Sequence, residues 1–327
     1  MLLWLSWGCT APSGLPQLDP TDSATALGPS DLVPLRIATW NVESVGESGS
    51  EQYEATRRIL VRIDADVVGL EEVMEAEEDA LARLATELGY HVVQPRGNPF
   101  GDAHNALLSR LPIEQSAAPS SVHLSGDPSA NDVTRWPVSA SVTAPWGDRV
   151  AVTVQHCKAG FGLDDQYRRS VDAHRLGQAA LRIEADHHVA MGDINDDPSD
   201  LEAFPPSPAR WSFAPGGLPY GYELGDDVQE ILDGEGLRNH AFELLESFGL
   251  RRTDARQADG REATRDSGRL IDHVLITDGL EPSAAEIYDS EDEDLPDRVN
   301  KAGDALQPPD SRQASDHFPV VVDLLPR

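Results

Sequence analysis

Lysine is nearly absent from this chain of 327 residues. Only Lys158 and Lys301 occur, and the net charge is −31, from 57 acidic and 26 basic side chains. So acidic a surface repels polyanions at long range and offers no basic stripe, which argues against tight, non-specific binding of duplex nucleic acid. It does not exclude phosphate-bearing ligands, because a bound divalent cation reverses the local field.

Cysteine is equally scarce. The two cysteines, Cys9 and Cys157, form no Cys-x-x-Cys pair, which excludes zinc clusters of that spacing. Cys157 follows an apolar, strand-like run and is expected to pack as a small buried hydrophobic residue. A disulfide between the two cysteines is the alternative.

The N-terminal apolar run is short. Residues 1–9 read MLLWLSWGC, which cannot span a bilayer, is similar to the end of a secretory signal, and resembles a bacterial lipoprotein signal with Cys9 lipidated. Residues 10–34 are rich in Pro, Ser, Thr, Gly and Asp without periodicity, as in a disordered tether. We expect an exported protein, secreted or anchored in the cell envelope. The alternative is a disordered tail on a cytosolic protein.

One globular domain is predicted for residues 35–327. Short apolar runs typical of buried strands alternate with segments of helical periodicity. The predicted strands are Leu35–Thr39, Val67–Leu70, Ala106–Leu108, Val138–Val142, Val150–Val154, Val189–Met191, Leu270–Ile276 and Val320–Leu324, and the predicted helices are Gln52–Ile63, Glu77–Leu88 and about Asp165–Ala185. Mixed elements and a hairpin at 138–154 predict an α/β sandwich rather than a purely parallel sheet.

Two long loops are also predicted, Pro198–Gly225 and Ser283–Ser315. The second contains the acidic run Asp289–Asp294. Such runs are usually solvated loop, and a calcium site is the alternative.

Polar residues stand at one end of several predicted strands. The motifs are TWN at 39–41, LEEV at 70–73, QHCK at 155–158, GDIND at 192–196, IDH at 271–273 and SDHFP at 315–319. Strand ends that meet at one edge are where layered α/β proteins place their sites.

Taken in order, these motifs resemble the endonuclease/exonuclease/phosphatase superfamily, which includes deoxyribonucleases, repair nucleases, inositol-phosphate phosphatases and bacterial sphingomyelinases. The resemblance spans Leu35 to Leu324. It implies two packed mixed β-sheets flanked by helices in four layers. It also implies a divalent-metal-dependent phosphoesterase that works by in-line attack of water.

The resemblance implies a metal site of oxygen ligands. Glu72 matches the metal-binding glutamate of the family motif LQEV, with Glu71 in place of the usual glutamine. Asn41 matches an asparagine that helps to hold metal and phosphate, and Asp316 matches the acid of the closing SDH motif. Such oxygens suit Mg²⁺, the expected cofactor, with Mn²⁺ or Ca²⁺ as alternatives.

Five residues are expected to carry catalysis. Asp193 and Asn195 match the family's GDFN pair, the first as base or metal ligand and the second as donor to phosphoryl oxygens. His317 would contact the phosphoryl group while Asp272 orients its ring, and His156 matches a family strand-end histidine. Each has a structural alternative, such as a cap, a turn or a satisfied core histidine.

Four residues carry a weaker signal, namely Glu43, Asn105, Arg110 and Arg135. Glu43 matches an acid near the metal in repair nucleases, and Asn105 lies in a segment similar to the family's NAILSR. The two arginines fit surface or ion-pair roles as readily as phosphate binding. His273 is interpreted as structural.

We therefore predict a monomeric, extracellular, nuclease-like enzyme that hydrolyses a phosphodiester. One alternative is a phosphatase or phospholipase acting on a small phosphate ester or a lipid headgroup. Another is a non-catalytic surface-binding protein on the same scaffold. The presence of Glu72, Asp193 and His317 argues against the last.

Overall fold

A computed structural model of the chain describes residues 32–95, 97, 101–119, 124, 133–199 and 241–327. The predicted signal-like segment with Cys9, nearly all of the predicted tether and most of the predicted loop Pro198–Gly225 lie outside the described residues. No helix within the described ranges has the length and apolar character needed to cross a bilayer.

The described residues form two six-stranded sheets. The first contains β1 (Leu35–Asn41), β2 (Val67–Met74), β3 (His91–Val93), β4 (Ala103–Ser109), β11 (Leu280–Ile287) and β12 (Val320–Pro326), in the order β11-β12-β1-β2-β4-β3. The second contains β5 (Gln115–Ala117), β6 (Val138–Thr143), β7 (Arg149–Val154), β8 (His187–Asp193), β9 (Arg251–Arg252) and β10 (Asp272–Ile276), in the order β5-β6-β7-β8-β10-β9. The first sheet has one parallel pair of strands, β1–β2, and the second has one, β7–β8. The other neighbouring strands, such as β1–β12 and β8–β10, are antiparallel.

The two sheets pack face to face over an apolar core. Alternate residues of β1, Leu35 and Ile37, point into this core, as a strand's period of two requires. Gly69 marks a close approach of the sheets, because a Cβ built on it would stand 2.7 Å from Met191 Cε and 2.7 Å from Val154 Cγ2. A side chain at this position would therefore push the sheets apart.

Helices cover both outer faces. They are α1 (Glu51–Ile63), α2 (Glu78–Leu88), α3 (Leu163–Ala180), α4 (Ala241–Ser247) and α5 (Asp310–Ala314). Apolar residues of α1, α2 and α5 pack on the first sheet, and those of α3 and α4 pack on the second. The predicted sandwich of four layers is confirmed. Gly89 follows α2 as its C-cap in the left-handed conformation, which glycine adopts without strain.

The predicted loop Ser283–Ser315 is partly wrong. Its first residues belong to β11, and α5 lies near its end. Strand β11 is at a sheet edge, where Pro282 and a bulge between Pro282 and Ala284 are tolerated, and both hide the alternation that marks a strand. Helix α3 ends at Ala180 rather than Ala185.

The acidic run Asp289–Asp294 differs from a solvated loop. Asp289 is 1% exposed, and its carboxylate accepts a hydrogen bond from the Glu291 backbone at 3.0 Å. Arg261 and Arg312 each place a guanidinium nitrogen 3.8 Å from Asp289 Oδ2. Arginine side chains therefore offset the charge here, and the solvated-loop prediction is wrong for Asp289.

Candidate active site

The topology brings the polar strand ends together at one edge of the sandwich. The carboxyl ends of the two parallel pairs point to the same edge as the amino ends of β10 and β12, which run antiparallel to their neighbours. Asn41 ends β1, Asp193 ends β8, and Asp272 starts β10 directly opposite Asp193. Both sheets therefore contribute to one cluster.

The Asp193 carboxylate is the centre of this cluster. Its Oδ2 accepts a hydrogen bond from Asn41 Nδ2 at 3.1 Å and lies 3.4 Å from His156 Nε2 and 4.0 Å from His317 Nε2. Its Oδ1 accepts from the Asn195 backbone N–H at 2.9 Å. Three side-chain nitrogens therefore surround one carboxylate oxygen.

Asp193 is tuned to exchange a proton near neutral pH. Burial and the neighbouring Asp272 charge raise the pKa of Asp193 to about 7, although His317 and the hydrogen bonds from Asn41 and Asn195 oppose the shift. A carboxylate with a pKa near the working pH suits proton transfer from water.

His317 is held as a cation. Its Nδ1 donates to Asp272 Oδ2 at 2.8 Å, and both side chains are buried. Burial alone would lower the pKa of His317, but the charge and hydrogen bond of Asp272, then Asp193 and Asp316, outweigh it and raise this pKa to about 10. The Nε2–H faces Asp193 and Asp316, where it can donate to an anionic oxygen.

His156 is the neutral counterpart. Burial, with the charges of Arg135 and His317, lowers the pKa of His156 well below its ordinary value. Its ring stands between two acids, with Nδ1 3.5 Å from Glu72 Oε1 and Nε2 3.4 Å from Asp193 Oδ2. Nδ1 is buried without a hydrogen-bond partner in the described structure.

Glu72 has an unusual backbone conformation. Its φ is +59°, and it lies in a bulge of the β2–β4 pairing, between Leu70 and Val73. Left-handed backbone at a non-glycine residue costs about 1–3 kcal/mol and is concentrated at functional sites. The bulge places the carboxylate, 26% exposed, beside His156.

Asp316 lies on the open side of the site. Its side chain is 35% exposed, and its Oδ2 accepts from Arg265 Nε at 2.9 Å and from a terminal nitrogen of the same guanidinium at 2.6 Å. Asn41 Oδ1 accepts from the Glu43 backbone N–H at 3.0 Å. The two hydrogen bonds occupy Asp316 Oδ2, so lone pairs for a ligand remain on Asp316 Oδ1 and on Asn41 Oδ1.

The donor set fits a hard divalent cation. The buried ligand atoms of Asp193, Asp272 and His317 all lie within 4.8 Å of one another, which makes this trio a possible metal site. His317 is unsuited to be a ligand while it is protonated and donates to Asp272. The remaining carboxylate oxygens, with those of Glu72 and Asp316, are the kind that Mg²⁺ prefers.

Two residues to which the sequence analysis gave no role in the site also shape it. Arg265 holds Asp316, and nothing in its sequence context signals this. Glu71 is buried beneath the cluster and accepts from Thr39 Oγ1 at 2.8 Å. Burial, then the charge of Asp272, raises the pKa of Glu71 well above its ordinary value, which favours the uncharged form, the form closest to the glutamine that it replaces.

Of the two arginines with weaker sequence signals, one lies near the active site and the other has a structural role. Arg135 lies close enough to His156 for its charge to lower the histidine's pKa. Arg110 pairs with Asp64 and stacks 4.8 Å from the Tyr90 ring centroid, which is a structural role.

Three further side chains have structural bonds. Asn105 donates to the Trp136 carbonyl at 2.9 Å. Asn195 donates one amide hydrogen to the Cys157 carbonyl at 3.1 Å, which leaves its second amide hydrogen. His273 Nε2 contacts backbone carbonyls, as a structural residue would.

Comparison with known proteins agrees with this geometry. The family model described as Endonuclease/Exonuclease/phosphatase family matches residues 38–317. The chain belongs to this family. It is accordingly a phosphoric ester hydrolase of the nuclease and phosphatase type, in a family that typically depends on divalent metal. No curated protein matches the chain.

Solved structures of the family share the fold at low sequence identity. An endonuclease/exonuclease/phosphatase from Beutenbergia cavernae DSM 12333 is 18% identical, covers 89% of this chain and 71% of its own, and has a TM-score of 0.54. The 3' phosphatase NExo from Neisseria, bound to a product DNA hairpin, is 19% identical, with coverage of 88% and 98% and a TM-score of 0.52. An AP endonuclease from Archaeoglobus fulgidus is 18% identical, with the same coverages and TM-score.

Proposed function

We propose that the protein hydrolyses a phosphodiester with the help of Mg²⁺ or Mn²⁺. The observation that supports this most is the position of Asp193 Oδ2, within 4.0 Å of nitrogens from Asn41, His156 and His317. A buried carboxylate beside a fixed imidazolium can take a proton from a water molecule that attacks a phosphoryl group.

The cation would be held by Glu72, Asp316 and the amide oxygen of Asn41. When bound, it supplies positive charge to the non-bridging oxygens of the phosphate. Asp193 orients the attacking water and accepts its proton as the bond from phosphorus to the leaving oxygen breaks, and the leaving oxygen takes a proton from solvent. His317 donates through Nε2 to a phosphoryl oxygen, and Asp272 holds the ring in place through Nδ1.

The second amide hydrogen of Asn195 is available to the same phosphoryl group. Asn195 lies in the turn after β8 and has a left-handed backbone, with φ of +58°. Its backbone N–H donates to Asp193 Oδ1, which holds the residue next to the proposed base. His156, uncharged, borders Asp193 on the side of Glu72. These residues orient the phosphate without adding further positive charge.

Without a bound cation, the charge of the site favours a diester over a monoester. Asp193, Asp272 and Asp316 lie within 4.0 Å of the cationic His317, Glu72 lies beside His156, and Arg265 is paired with Asp316. A diester carries one negative charge, whereas a monoester carries up to two at neutral pH. The acids therefore repel a monoester more strongly, and the positive charge of a bound cation reduces this difference.

An extracellular location remains part of the proposal. It is supported by the signal-like residues 1–9 and the tether-like composition of residues 10–34. If Cys9 carries a lipid, Cys9→Ser will move the protein from the membrane fraction to the soluble fraction. An unmodified Cys9 in the intact mass of the native protein contradicts the anchor.

The catalytic proposal is tested with bis(4-nitrophenyl) phosphate and 4-nitrophenyl phosphate, each assayed with Mg²⁺, Mn²⁺ or Ca²⁺ and in chelator. We expect turnover of the diester with Mg²⁺ or Mn²⁺ and none in chelator. Asp193→Asn should lower kcat by about two to four orders of magnitude and leave the fold intact by circular dichroism. Full turnover in chelator refutes the mechanism, and faster monoester turnover would favour a phosphatase.

A further inference from the structure

Phe161 is an exposed aromatic ring beside the active site. It is 76% exposed, more than any other large apolar side chain in the part of the chain that the structure describes. A single exposed apolar residue is ordinary on a protein surface. The position of Phe161 is not ordinary, because the loop that follows β7 also carries His156, five residues before Phe161.

The loop that carries Phe161 is firmly attached to the site. The buried Arg169 donates from Nε to the Lys158 carbonyl at 2.9 Å and from a terminal nitrogen to the Gly160 carbonyl. Its other terminal nitrogen lies 3.2 Å from Asp196 Oδ1, in the loop that follows Asp193. One arginine thus ties the Phe161 loop to the loop of the proposed base.

Arg269 approaches the same ring from a second direction. Its guanidinium carbon lies 5.0 Å from the Phe161 ring centroid. The Arg269 carbonyl accepts from the backbone N–H groups of Thr264 at 2.9 Å and Arg265 at 3.2 Å, so these residues form one tight turn. The same turn places the Arg265 guanidinium against Asp316, a residue of the proposed active site.

We propose that Phe161 and Arg269 form a stacking platform for an unpaired nucleobase next to the scissile phosphate. This inference rests on the proposed phosphodiester hydrolysis and narrows its substrate to single-stranded nucleic acid. An aromatic face with an adjacent guanidinium binds any base by stacking, without reading its sequence. The bases of a duplex are already stacked on each other, and the net charge of −31 disfavours the denser phosphate array of a duplex.

The test compares two fluorescent single-stranded oligonucleotides of equal length, one of thymidylates and one with tetrahydrofuran abasic residues. Both have the same phosphates, so the ratio of their kcat/KM values measures base recognition. We expect wild type to favour the thymidylate strand, Phe161→Ala to reduce the ratio about tenfold, mainly through KM, and Phe161→Trp to preserve it. Leu181→Ala, at an exposed apolar residue on the end of α3, is the control and should leave the ratio unchanged.

The outcomes separate this inference from the proposed function. A wild type that hydrolyses bis(4-nitrophenyl) phosphate but shows no preference between the strands, or a Phe161→Ala variant with an unchanged ratio, overturns the platform and leaves diester hydrolysis standing. A wild type inactive on every diester refutes both. If Phe161→Ala instead abolishes sedimentation with phosphatidylcholine vesicles and leaves the ratio unchanged, the ring serves a membrane surface and the platform is wrong.

Discussion

Asp272 Oδ2 lies 2.8 Å from His317 Nδ1, and this hydrogen bond joins the two sheets. Asp272 begins β10 of the second sheet, and His317 stands just before β12 of the first. Trp40 supports the arrangement by donating from Nε1 to the His317 carbonyl at 3.0 Å. The carboxylate thereby fixes the orientation of the imidazole and keeps it protonated.

The first prediction concerns this pair. His317→Ala should lower kcat by about two to four orders of magnitude, because it removes a positioned donor to the phosphoryl group. Asp272→Asn should also lower kcat, since it removes the charge that keeps the ring cationic. The double variant should be little worse than His317→Ala alone, because residues that act as a unit are non-additive.

Thermal unfolding of the three variants supplies the control for folding. If the pair only stabilises the last strand, the variants will melt at lower temperature while the folded fraction keeps near-normal turnover. A stable His317→Ala enzyme with wild-type kcat would remove His317 from the active site.

The second prediction concerns the cation. Glu72→Gln keeps the side-chain shape and removes one negative charge, so the Mg²⁺ concentration that gives half-maximal activity should rise about tenfold or more. Glu78→Gln, an exposed acid at the start of α2, is the matched control and should not change it. If wild type and Glu72→Gln need the same Mg²⁺ concentration for half-maximal activity, Glu72 is not a metal ligand and other residues hold the cation.

The third prediction concerns acid stability. Burial, with the Arg252 charge, lowers the pKa of His273 from 6.5 to about 4. Because the folded value is the lower one, the unfolded chain takes up this proton first as pH falls. The contribution to stability is therefore complete above pH 6.5 and is lost between about pH 6.5 and 4, amounting to about 2.5 kcal/mol by pH 4.5.

Urea unfolding in chelator at pH 7 and pH 4.5 measures this loss. Wild type should lose about 2.5 kcal/mol more than His273→Gln over this interval, because glutamine does not titrate. Equal losses in the two proteins would show that His273 does not titrate as its burial requires.

The fourth prediction concerns the contact between the sheets. Gly69→Ala should lower the free energy of unfolding by about 1–3 kcal/mol, since the new methyl group would overlap Met191 and Val154. Ala82→Ser, on the exposed face of α2, is the control and should leave the free energy of unfolding nearly unchanged. Equal stabilities of Gly69→Ala and Ala82→Ser in urea would mean that the sheets are not tightly packed at Gly69.

Much of the fold was predictable because buried strands leave a strong signal. Continuous apolar runs as short as those of β1 and β8, bounded by polar residues, are typical of strands covered on both faces. Strand β9, with two residues, is too short to show a period, and β11 is interrupted by Pro282. These strands were missed because their alternation of apolar and polar residues is too short or is interrupted.

The site was predictable as a set of residues but not as an arrangement. The motifs name Asn41, Asp193 and His317, and the structure brings all three within reach of one another. The raised pKa of Glu71 could not be read from the sequence, because it depends on burial and on the charge of Asp272. Arg265 was missed for a similar reason, since only the folded turn places it against Asp316.

The position of β12 has a consequence for when the enzyme becomes active. Although β12 comes last among the strands, it pairs with β1, the first, from Leu35–Leu324 to Thr39–Val320. A chain still emerging from the ribosome and not yet past Ser315 has neither His317 nor the partner on which β1 completes its sheet. Such a nascent chain therefore lacks a complete active site until its last strand has been made.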